Sequence, residues 1–152
     1  MKLGDALSRR ANLDKKLTEL KIRIGTNAIV QEGDTPAEPP GDLIADALRV
    51  ADELRDIVRQ INRTNALAKL DDEQTIADAL TARDWLKSLR SIYLAAVPDR
   101  NRLLGMRATR SELRVVAAVN VAETQRQADD AARRFRELDA RIQEANWTTE
   151  LL

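Results

Sequence analysis

The stretch that decides the fold is LGDALSRRANLDKKLTELKIRI, residues 3–24. Within it Leu3, Ala6, Arg10, Leu13, Leu17, Leu20 and Ile24 fall at alternating steps of three and four. An α-helix turns every 3.6 residues, so side chains at this spacing share one stripe. The pattern predicts a long helix over about 3–30, packed on a partner along a heptad seam. The segment from Gln31 to Gly41 holds three of the four prolines. Proline removes amide donors and turns the preceding residue away from helix, so a loop is expected there.

The three–four rhythm returns three times. A second helix is expected from Asp42 as N-cap, with Ile44, Ala47, Ala51, Leu54, Val58 and Ile61 facing inward and Leu43, Leu48 and Ile57 widening the stripe. It fades at Asn62-Arg63-Thr64-Asn65, and Asp71-Asp72-Glu73 opens the next connection. Thr75 with Asp78 three residues on fits a capping box, opening a third helix to about Val97 with Ala79, Ala82, Leu86, Leu89, Tyr93 and Ala96 inward. Pro98 ends it. Asn120 with Glu123 opens the last helix, where Ala128, Ala131, Phe135, Leu138, Ile142 and Ala145 keep the rhythm to Asn146. Between them, residues 98–119 lose the helical period. Leu113, Val115, Ala117 and Val119 alternate with other side chains, which predicts a short β-hairpin near 103–119. The expected fold is mainly α: an antiparallel bundle of four long helices, or paired helical hairpins, with coiled-coil-like seams, one domain over 1–152.

Composition narrows the function classes. The 152 residues carry 25 basic and 25 acidic side chains, and this balance argues against a dedicated nucleic-acid or membrane-surface binder. With no Cys and no His, the chain has no disulfide, thiolate nucleophile or His-based metal or catalytic triad chemistry. No run nears the roughly 18–20 apolar residues that span a bilayer, and residues 1–10 mix charges among their apolar residues. The expectations are a cytoplasmic location, no stable membrane insertion, no specific nucleic acid and no cofactor.

Several constellations could carry more than packing. Arg10 and Arg83 stand where a seam wants apolar groups, and Asp84 adjoins the second. A charge on a seam is costly unless paired, so Arg83 is expected to be buried against a carboxylate, either as a polar layer that sets register or as a ligand pocket. Asn62, Arg63, Thr64 and Asn65 gather four hydrogen-bonding side chains where the second helix is expected to end, as a C-terminal cap or a recognition element. Arg100, Arg102, Arg107, Arg110 and Arg114 form a candidate anion-binding patch, one that the acidic Glu32–Glu38 loop of a neighbouring subunit could meet. Asp52 and Asp56 have the one-turn spacing of a helical Mg²⁺ pair, but arginines interleave with them, as in ordinary surface ion pairs. Trp147 reads as an anchor for the tail.

Met1-Lys2-Leu3-Gly4, Asn62-Arg63-Thr64-Asn65, Ala82-Arg83-Asp84 and Asn146-Trp147-Thr148-Thr149-Glu150-Leu151 together resemble the bacterial DIP1984 family, end to end. Its members are often labelled septicolysin. The resemblance implies an α-helical, oligomeric bacterial protein without an established activity. The leading functional expectation is a non-enzymatic protein that self-associates into a homo-oligomer through its bundle seams and the irregular 98–119 segment. The alternatives are a septicolysin-like pore former, for which only residues 113–121 offer a suitably apolar segment, and a metal-dependent hydrolase on bundle carboxylates.

Overall fold

The structure is a computed structural model and describes residues 1–99, 105 and 115–152. Four long helices account for most of them: α1 (Leu3–Asn27), α2 (Pro40–Leu67), α3 (Ile76–Ala96) and α4 (Val121–Thr148). The all-helical class is the expected one. The hairpin expected at 103–119 lies mostly outside the described residues. Those within it do not support strands: Gly105 is helical and residues 115–119 are irregular.

The chain divides into two compact units, 1–69 with 144–152, and 70–143. In the first, α1 packs on α2. Arg9 pairs with Glu53 at one end, and Arg23 pairs with Glu38 at the other. Those partners run in opposite order along the chain, so the two helices are antiparallel. On α1 the buried seam is the expected one, with Ala6, Leu13, Leu20 and Asn27 repeating every seven residues behind Leu3. Arg10 departs from it. Its side chain is exposed and makes no ion pair among the described residues, because a long guanidinium side chain reaches water from the seam edge.

On α2 the buried residues are Leu43, Val50, Ile57, Ile61 and Thr64. The expected stripe is therefore turned by about one residue, leaving Ile44 47% and Leu48 63% exposed. The helix also starts earlier than expected. Pro40 occupies the first turn, where a fixed φ and a missing N–H cost nothing, and Asp42 lies inside that turn rather than at the cap.

The α1–α2 loop is fastened at both ends. Gly33 takes φ +93° as the third residue of a turn in which Asp34 N donates to Gln31 O. That is the position of a type II turn that favours glycine. Buried Asn27 accepts from Glu38 N at 3.0 Å and donates to Arg23 O at 2.9 Å.

In the second unit, Thr75 and Asp78 make the capping box read from the sequence, with Asp78 N donating to Thr75 Oγ1 and Thr75 N to Asp78 Oδ2. Asn120 Oδ1 likewise accepts from Glu123 N. Ile76, Ala79 and Leu86 of α3 and Ala128, Ala131 and Ile142 of α4 are buried. Ala96, expected inward, is exposed at the end of its helix. Arg83 does find a carboxylate, Asp139 of α4 at 3.0 Å, with Asp84 at 3.6 Å. Its side chain keeps 26% of its exposure and Asp139 keeps 35%, so the pair is only half-buried, not the buried pair expected. A partly wet pair of this kind contributes about 0–1 kcal/mol.

Candidate functional site

Three of the four stretches quoted for the resemblance meet in the first unit. Lys2 and Glu150 form an antiparallel β-bridge. Leu3 N donates to Thr149 O, and Leu151 N to Met1 O, both at 2.9 Å. The Lys2 ammonium lies 2.6 Å from Glu150 and donates to Thr148 O at 2.9 Å, while the Met1 amine reaches Glu150 at 3.2 Å. The Lys2 hydrogen bond, with help from the Met1 amine, holds the Glu150 carboxyl below its ordinary range.

Asn62-Arg63-Thr64-Asn65 is not a helix end. It lies inside α2, which continues to Leu67, and no described residue other than glycine takes a positive φ. Thr64 is fully buried and continues the seven-residue step of Val50 and Ile57. Its hydroxyl donates to Gln60 O and accepts from Leu152 N at 2.9 Å, so one side chain serves its own helix and the tail. The sequence signal was present in that spacing, but a polar residue masked it. Asn62 and Arg63 are exposed, and Asn65 is half-buried. With Arg59, Gln60, Asp56 and Leu152, Asn62 and Arg63 border an open cavity of about 700 Å³. Arg59 acts on Asp56 from beyond ion-pair distance, helping to hold its carboxyl below the ordinary range after the Arg55 hydrogen bond. Asp52 and Asp56 are both engaged by Arg55, at 2.9 and 3.0 Å, as surface pairs. No group of three described acidic residues comes together as a metal site. No described helix is long and apolar enough to cross a membrane.

The second unit holds a cleft that sequence reading missed. Trp85 of α3 is 54% exposed, and the Arg134 guanidinium of α4 lies 5.9 Å from the centre of its ring, within cation–π range. Buried Leu86 and half-buried Leu138 border the same cleft, of about 360 Å³, with Gln74 and Arg141 also lining it. Asp71 braces that side. It accepts from Arg141, from Gln74 Nε2 at 3.1 Å, and from the backbone N–H groups of Glu73 and Gln74 at 3.0 and 2.9 Å. Of the two seam charges, Arg83, with Asp84 beside it, belongs to this unit and Arg10 to the other. The patch Arg100, Arg102, Arg107, Arg110 and Arg114 lies outside the described residues.

Asp71 gives a pH prediction with a definite sign. Arg141 first, then the Gln74 side chain and the Glu73 N–H, hold its carboxyl well below the usual carboxylate range. A carboxylate depressed on folding stabilises the fold above its unfolded pKa of about 3.9 and loses that contribution as pH falls through its folded value. The difference in melting temperature between the wild type and Asp71→Asn is therefore expected to be greatest at neutral pH. It should shrink steadily below about pH 4. A difference that stays constant down to strong acid would mean Asp71 is not held by Arg141 in solution.

Comparison with known proteins adds kinship. Residues 10–151 match the model of a family of unknown function, DUF6847. A crystal structure of a functionally unknown conserved protein from Corynebacterium diphtheriae is 37% identical over 100% of this chain and 99% of that chain, with a TM-score of 0.88. No curated protein matches. The DIP1984 resemblance agrees with these matches, while the septicolysin label has no counterpart in their descriptions.

Proposed function

We propose that this chain, which belongs to the DUF6847 family of unknown function, acts by binding a second copy of itself through α2 rather than by catalysis. The observation that carries this reading is the pair Ile44 and Leu48, one turn apart on α2 and both about half exposed or more. Large aliphatic side chains at helical spacing outside the seam with α1 form a second apolar stripe, and burying it is favourable. Charge favours a copy of the same helix as occupant. Asp52 and Asp56 share the outward flank of α2 with Ile44 and Leu48, as do Arg59 and Arg63. The stripe is therefore bordered by both signs of charge, as a two-fold interface requires of a self-complementary surface.

Light scattering is expected to return a multiple of the 17.0 kDa chain mass at micromolar concentration and the single-chain mass for Leu48→Asp. A wild type that stays at the single-chain mass across that range would overturn the reading, as would a Leu48→Asp variant with unchanged assembly.

A further inference from the structure

The cleft between α3 and α4 has a composition that its packing does not require. Within or beside it, charge is matched against charge. Arg141 is taken by Asp71, Arg133 bridges Asp130 and Glu137, and Arg83 is taken by Asp139. Of the two arginines that line the cleft, Arg134 meets no carboxylate among the described residues, and its recorded partner is the Trp85 ring. A guanidinium on an aromatic face keeps N–H donors free at its edges, and that planar fork matches the two oxygens of a carboxylate. Beside it, the indole presents more than half of its surface, over a floor that includes buried Leu86. The cleft's volume of about 360 Å³ falls at the small end of ligand sites.

We infer that this cleft binds a small apolar monocarboxylate, its carboxylate on Arg134 and its hydrocarbon or aryl body against Trp85 and Leu86. The site lies wholly in the second unit, so it stands or falls independently of association through α2. Its charge state sets the ligand class. One unmatched guanidinium suits one negative charge, whereas a di- or triphosphate would need several cations. The contact is small, so affinity is expected in the range of about 0.1–1 mM.

The chain has two tryptophans, and each gives one indole N–H resonance in a ¹⁵N-labelled sample. The probe is 4-phenylbutyrate, with neutral 4-phenylbutanol and inorganic phosphate as comparisons. The acid should move the Trp85 resonance, assigned with Trp85→Phe, and leave that of Trp147 in place. The alcohol and phosphate should bind at least tenfold more weakly. Arg134→Gln, an exposed substitution whose fold is checked by circular dichroism, should weaken the acid about tenfold, while Arg134→Lys keeps part of the binding. The inference is overturned if Trp85 does not respond to the acid up to about 10 mM, if the alcohol binds as tightly, or if Arg134→Gln changes nothing. It is also overturned if the Trp85 resonance moves with protein concentration alone, since the occupant is then a second copy of the chain.

Discussion

Ile57→Ala is expected to lower the free energy of unfolding by about 2–5 kcal/mol, whereas Ile44→Ala, thirteen residues earlier on α2, should cost under about 1 kcal/mol. Ile57 is 4% exposed in the seam with α1, and truncating it leaves a cavity the neighbours fill only in part. Ile44 is 47% exposed and loses little burial. Urea denaturation of dilute protein, where association contributes least, measures both. Equal effects, or the reverse order, would mean that α2 presents its other flank to α1.

The second large effect is expected at Gly4. Alanine is the better helix former by about 1 kcal/mol, so Gly4→Ala on an open helix face would stabilise. Here a Cβ would lie 2.8 Å from Cε3 of Trp147 and 3.0 Å from two further ring carbons. The backbone on either side is held, by buried Asn146 and by the Lys2 bond to Thr148 O, so the 59% exposed residue can relieve the clash only by turning its ring away from α1 and giving up that contact. Gly4→Ala is therefore expected to destabilise by about 1–3 kcal/mol net. In a Trp147→Ala background the same substitution should become neutral or favourable, a coupling on the order of 1–3 kcal/mol. Additive effects in that cycle would show that the ring does not rest on Gly4.

Much of the helical framework was legible because it rests on local rules. The heptad stripe of α1, the proline-rich loop, the Thr75–Asp78 capping box and the α4 seam through Ala128, Ala131, Ile142 and Ala145 all depend on residues within a few turns of each other. Each contribution is decided by backbone geometry and short-range hydrogen bonds, which the order of residues already contains. The α2 stripe was legible only to within a residue. Leu43, Ile44, Ala47, Leu48, Val50, Ala51, Leu54 and Ile57 cover more than one face, so burial alone favours two neighbouring registers almost equally.

Tertiary structure decided between them, and it decided most of the candidate sites. Thr64 joins the seam because a tail 88 residues further along donates Leu152 N to its hydroxyl, offsetting the cost of burying that oxygen. Arg83 takes Asp139 and Arg141 takes Asp71, partners 56 and 70 residues distant. Arg134 is left to the Trp85 ring. Which of many similar arginines meets which carboxylate depends on where two helices are brought side by side, because an ion pair or a cation–π contact acts over only a few ångströms. The sequence by itself determined that long amphipathic helices form and where three of the four bury their stripes; only their packing decided which charges are matched and which are left open.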